Sequence, residues 1–244
     1  MCLGAVGGKE CKVIMEKFVE KFNIFDIFTM LLPGIVISSL FGISLSFKYY
    51  GIWEKFGNEK YILFFIISYA CGLVFQEVGT VFDKKFMFKI LYGGEPRKIF
   101  LLENKYNKIF NDELSYKDAL RIKQYLNDYI NIKTSKNVNE EKLNSLMFAY
   151  CLNICEMNGL ASKADKMIVN SEMSRSLFWG CIATIILNII MIFCFSCHSL
   201  FLYGEILFLI IIAIIFLSRK RRYEQYRIRI LLRMFLIYTQ KQMR

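Results

Sequence analysis

The 244-residue chain has little of what most enzymes need: one histidine, His198, and few prolines. With a single imidazole, no Ser/His/Asp or Cys/His arrangement is available except through His198, and a zinc site has almost no nitrogen ligand to draw on. Tyr92-Gly93-Gly94-Glu95-Pro96 lacks the Gly-x-x-x-x-Gly-Lys spacing of a phosphate loop and reads as a turn. No stretch alternates apolar and polar residues in the manner of a half-buried strand. Residues 1–10 have no apolar core, so no cleavable signal peptide is expected. A non-enzymatic, all-α protein without cofactor or metal is the expectation.

Apolar residues, by contrast, are abundant at 55%, and they are clustered rather than spread at helix or strand periods. Residues 206–217 carry neither charge nor glycine, so a helix there is apolar on every face and belongs in a core or in lipid. The run ends at Arg219-Lys220-Arg221-Arg222, and cations remain on the cytoplasmic side during insertion. This predicts a transmembrane helix with its C-terminus in the cytoplasm. Three more runs of about 20 residues, the length a bilayer requires, give spans at 27–47, 61–82 and 177–197 before the last at 200–218.

The expected organisation is an amphipathic lead-in at 1–26, a first transmembrane hairpin at 27–82 and a helical cytoplasmic domain at 83–176. A second hairpin at 177–218 and a basic C-terminal helix at 219–244 complete it. Tyr49, Tyr50 and Trp53 suit an outer boundary between spans one and two. In the cytoplasmic domain, Ser115-Tyr116-Lys117-Asp118 resembles a capping box opening a helix to about residue 132. A second helix covers 140–157, closed by Asn158-Gly159, and Ser162 can cap a third. An even number of spans puts both termini in the cytoplasm of a multi-pass protein. Heavy use of Lys, Asn, Ile and Phe suggests an AT-rich bacterial genome, hence the bacterial inner membrane.

Several polar or small residues stand out within the spans. Gly34, Ser38, Gly42 and Ser46 recur every fourth residue, which puts four small side chains on one face for helix packing. Gln76 and Glu77 near the end of span two, and Thr184 and Asn188 one turn apart in span three, are pore or gate candidates. The bland alternatives are an ion pair from Glu77 to Lys84 or Lys85, and interhelical hydrogen bonding by Asn188.

Eight cysteines in apolar or lysine-rich surroundings fit a reduced setting. Cys151 and Cys155 fall on one helix face without further ligands nearby and read as small buried hydrophobes. Cys194-Phe195-Ser196-Cys197-His198 matches the pattern of covalent haem attachment, but no second histidine exists to ligate iron, so no haem is expected.

The formal net charge is +11, and residues 219–244 carry most of it. At 100° per residue, Arg219, Arg222, Tyr226, Arg229 and Arg233 fall on one stripe. Arginines interleaved with tyrosine suit a polyanion, through phosphate contacts and base stacking. Positive-inside topology and anionic lipid headgroups are the alternative, and topology alone accounts for Arg219 to Arg222.

The chain also resembles a group of bacterial four-span membrane effectors of antiphage defence. The resemblance is carried by Phe25-Asp26-Ile27-Phe28 through Leu32-Pro33-Gly34, by Gly72-Leu73 through Val78-Gly79, and by Asn158-Gly159-Leu160 followed by Ser174-Arg175-Ser176-Leu177. Within that group it is most similar to the membrane component of the Hailong system. The resemblance implies a homo-oligomeric, channel-like effector, here taken as a tetramer, whose opening depolarises the host membrane in abortive infection. It implies a ligand made by a partner nucleotidyltransferase, either a single-stranded DNA oligomer or a cyclic nucleotide. The alternative function is a non-conducting membrane anchor or scaffold that docks a soluble partner through its cytoplasmic domain.

Overall fold

A computed structural model describes residues 26–46, 59–100, 113–130, 140–195 and 199–242, and these contain helices and turns but no strand. In chain order, a π-helical turn at Ile27–Leu31 leads into α1 (Leu32–Ser46), and α2 (Glu59–Phe82) is followed by a second π turn at Asp83–Met87. Then come α3 (Phe88–Tyr92), α4 (Pro96–Ile99), α5 (Glu113–Ile130), α6 (Glu140–Met157), α7 (Ser162–Phe195) and α8 (Leu200–Gln242). Four helical stretches are long and apolar enough to cross a membrane: Ile27–Leu45, Glu59–Tyr92, Ser162–Phe195 and Leu200–Lys241. The protein is an all-α membrane protein with four such helices, as the hydrophobic runs predict. The lead-in over 1–25, the loop over 48–58, the polar break at 133–139, the Ser46 side chain, Cys197 and His198 lie outside the described residues.

Helix boundaries follow local chemistry. Pro33 has no N–H and its ring would clash with the carbonyl four residues back; the preceding turn is widened, with the Leu32 N–H bonded to the Ile27 carbonyl. Gly93, at φ 75°, closes α3, and Pro96 occupies the first turn of α4, so Tyr92–Pro96 is the expected turn. Gly159, at φ 67°, closes α6, and Leu160 N–H bonds back to Cys155 O at 2.8 Å. Two caps differ from expectation. α5 begins at Glu113, so Ser115 lies inside the first turn. The capping position before α7 is Ala161, whose carbonyl accepts from Asp165 N–H at 3.0 Å, and Ser162 is already helical.

By internal contacts the chain divides into two compact units, Met1–Gln76 with Ser176–Ala213 and Glu77–Arg175 with Ile214–Arg244. In the first, close backbone approach decides the packing. A Cβ at Gly34 would collide with the Ser68 carbonyl of α2, and one at Gly72 with the Met30 carbonyl. One turn along α1, Ile37, 1% exposed, is seated against Gly180 of α7. Phe41 and Phe75 meet edge to face at 6.1 Å. Of the predicted small-residue strip, Gly34 is the contact, Ser38 is buried, and Gly42 faces open space. The strip is therefore used at its N-terminal half.

The second unit has its own core, built from Tyr92, Ile99, Phe100, Met147, Phe148, Cys151, Ile228, Leu231 and Phe235 among others. Phe100 and Phe148 meet edge to face at 5.6 Å, as do Tyr125 and Phe235 at 5.9 Å. Cys151 and Cys155 are fully buried; burial pushes both thiols up, Cys155 to about 11, so at neutral pH they are protonated apolar filler as expected. Inside this core α8 presents Ile228, Leu231, Leu232 and Phe235, a 3-4 spacing that fixes which way every other residue of the tail points.

The glycine contacts give a direct check. Gly34→Ala pushes a methyl into backbone that cannot rotate away and should cost about 1–3 kcal/mol. Gly42→Ala meets nothing and should stay within about 0.5 kcal/mol of wild type. Thermal unfolding in detergent followed by circular dichroism separates the two; equal midpoints would contradict the packing.

Candidate functional site

The cationic tail of the sequence splits into two faces on α8, and the split is set by the core. On the outward side, Arg219, Arg222, Tyr223 and Tyr226 line an open concavity of about 460 Å³. Arg219 reaches Tyr223 twice over, donating to its hydroxyl at 3.0 Å with the guanidinium 5.7 Å from the ring centre. Arg229 lies 5.5 Å from the ring of Tyr226, which is itself exposed. Arg233 continues the same face into solvent. All five predicted stripe residues are thus exposed or half-buried on one side, and three of them meet at one concavity. Guanidinium groups beside phenol rings are what a phosphate with an attached planar base requires: bidentate donors and a stacking surface.

On the inward side, Lys220 is 2% exposed and Arg227 is 4% exposed. Lys220 ion-pairs with Asp83, the first residue of the second π turn, and Asp83 is 1% exposed. Arg175, near the middle of α7, stands 3.7 Å from the other oxygen of Asp83 and also pairs with Glu172. Neither Asp83 oxygen accepts a bond from a neutral donor among the described residues, so the carboxylate depends on these two cations. Ser171 donates to Glu224 at 3.1 Å, and Tyr92 donates to the Arg221 carbonyl at 3.1 Å, closing the surroundings of the cluster. Arg227 lies 5.9 Å from the centre of the Phe148 ring, with Arg97 at 5.8 Å from the same centre.

Lys220 has a structural part of its own: α8 turns it onto the face that carries Ile228 and Leu231, where it pairs with a buried acid. The sequence held a signal for this: Lys220, Arg227, Leu231 and Phe235 recur at the helical period, so two cations fall on the apolar face of the tail. Asp83 as the partner of Lys220 had no such signal, being separated from it by 137 positions in a chain with several equally placed acids.

The pore candidates fall into different environments. Thr184 and Asn188 are both fully buried inside the first unit. Thr184 donates to the Gly180 carbonyl at 2.9 Å and is satisfied within its own helix. Asn188 finds no partner for its amide nitrogen or oxygen among the described residues. Gln76 is half-buried, whereas Glu77 is exposed and forms no ion pair with Lys84 or Lys85 among the described residues. No group of three metal-ligating side chains occurs among the described residues.

Removing the acid of a buried cluster strands its cations. Asp83→Ala is expected to destabilise the protein by about 3–5 kcal/mol, while Arg222→Ala on the exposed face stays within about 0.5 kcal/mol. Pairing Asp83→Leu with Lys220→Met should recover a large part of the loss, and a chaotrope titration in detergent reads all three. With the single variants Asp83→Leu and Lys220→Met measured alongside, a double loss equal to the sum of the two would show that Asp83 and Lys220 do not interact.

No family model, no curated protein and no solved structure matches this chain, so the candidate site stands on its own residues.

Proposed function

We propose that the protein is a homo-oligomeric, channel-like membrane effector that takes a polyanionic ligand on the arginine and tyrosine face of α8. The observation that carries this reading is the continuity of α8 from Leu200 to Gln242: the apolar span and the cationic face are one unbroken helix. Ligand bound at Arg219, Arg222, Tyr226, Arg229 and Arg233 therefore sits on the same helix that supplies a membrane span. Conduction by one copy is disfavoured, because four helices enclose little room for water; several copies around an axis supply it. Asn188 is the polar spot that gains most from hydration, since both ends of its amide lack protein partners among the described residues. In the setting implied by the resemblance, the ligand is a nucleotide or a single-stranded DNA oligomer from a partner nucleotidyltransferase. Opening then depolarises a bacterial inner membrane in antiphage defence, with both termini in the cytoplasm.

A specific observation favours a second reading, the non-conducting scaffold. The second unit has an extended apolar core of its own, which suits a body that docks a soluble partner.

Two experiments divide these readings. Protein purified from cells that also express its neighbouring genes should show a raised 260 to 280 nm absorbance ratio, removable by nuclease and lost in Arg222→Glu with Arg229→Glu. An unchanged protein spectrum would remove the polyanion ligand. In planar bilayers, Asn188→Leu or Glu77→Gln should alter ion flux if the protein conducts, and no flux under any ligand would leave the scaffold.

A further inference from the structure

The first unit holds a carboxylate that neither the packing nor the proposed ligand uses. Glu205 lies one turn into α8, within an apolar run, and its hydrogen-bond donor is the hydroxyl of Ser44 at 3.2 Å and 3.4 Å from the two oxygens. That hydroxyl also points at the Leu40 carbonyl, 3.0 Å away, and it has one proton to give. No cation stands within 4 Å of Glu205 among the described residues. An ionised carboxylate at membrane depth without a cation is costly, and such groups pair or face water.

The surface beside Glu205 is apolar and open. Leu40, Ile43, Phe201, Gly204 and Phe208 surround it in an open groove of about 430 Å³. Ile43, Phe201 and Phe208 are each exposed by 45% or more, as side chains turned toward acyl chains are. The groove is open at Gly204, where a Cβ would meet nothing within 4 Å. The site offers one negative charge at one edge of an apolar trough.

We propose that this groove binds a phospholipid with a primary ammonium headgroup, the ammonium on Glu205 and an acyl chain along Phe201 and Phe208. Charge complementarity selects the occupant. An anionic lipid would set phosphate and carboxylate together without a cation between them, whereas an ammonium supplies the missing charge and several donors to a carboxylate that shares a single hydroxyl proton. The acyl chain covers exposed aromatic surface in the same step.

Native mass spectrometry of the purified protein in nanodiscs of equal phosphatidylethanolamine and phosphatidylglycerol reads the selection directly. Wild type should retain phosphatidylethanolamine over phosphatidylglycerol by about tenfold, the ratio that about 1.4 kcal/mol gives. Glu205→Gln should reduce the ratio to near one, with oligomeric state and unfolding midpoint unchanged. Gly204→Leu keeps the carboxylate and fills the trough, and it should lower total retained phosphatidylethanolamine without a change in fold. Equal retention of both lipids by wild type, or undiminished selectivity in Glu205→Gln, overturns the proposal. Should Glu205→Gln fail to assemble, Gly204→Leu decides alone, and unchanged retention in that variant also overturns it.

Discussion

A carboxylate 1% exposed at the end of an apolar helix has no water to hold its charge, and the arrangement around Asp83 follows from that constraint. Two cations from distant parts of the chain must be brought to it, Arg175 from α7 and Lys220 from α8. Their approach fixes the rotation of both helices within the second unit, because an ammonium or guanidinium turned a quarter of a helix away would leave the acid unpaired. Breaking such a pair costs more than forming it gains, because the remaining charge is left buried and unpaired. The π turn at Asp83–Met87 belongs to the same constraint. Widening one turn shifts the phase of α3 relative to α2, and Tyr92 at its end reaches the Arg221 carbonyl on the helix that also bears Lys220.

The first unit solves its packing differently. Lipid-facing helices gain little from hydrophobic association, so close contact has to come from shape. Gly34 and Gly72 let α1 and α2 approach to backbone distance, and Gly180 receives Ile37. The unit's buried polar groups are small and uncharged: Thr184 is satisfied by its own helix, and Ser44 donates toward the Leu40 carbonyl and toward Glu205 of α8. Close backbone approach at glycines therefore marks the first unit, and buried ion pairs mark the second.

That difference explains how much was legible beforehand. The spans could be read because a 20-residue apolar run is a local property, and the turns at Gly93 and Gly159 because each needs a residue tolerant of positive φ. The small-residue strip of α1 predicted a contact face, but which of its members touches depends on where α2 crosses, and that is not local information. Gly34 is in contact while Gly42 is not, although the sequence presents them equally. The tail shows the same limit. Its charge announced a polyanion or membrane role, yet the face of each cation depends on Ile228, Leu231 and Phe235 finding the core of the second unit. Counting charges merged Lys220 and Arg227, which serve the fold, with Arg222 and Arg229, which do not.

Separating those faces also narrows the ligand that the proposed function would accommodate. Arg219, Arg222, Tyr223 and Tyr226 form one concavity, sufficient for a single phosphate with its base against a phenol ring. Arg229 and Arg233 lie farther along the same face; from Arg222 to Arg233 the helix rises about 17 Å. A strand advances about 3.4 Å per nucleotide when stacked, so about five nucleotides span that distance. A cyclic mononucleotide would leave Arg233 without a partner, whereas a short single strand would engage the whole stripe. Under the proposed function, the length of the cationic face, more than its charge, favours an oligomer over a mononucleotide.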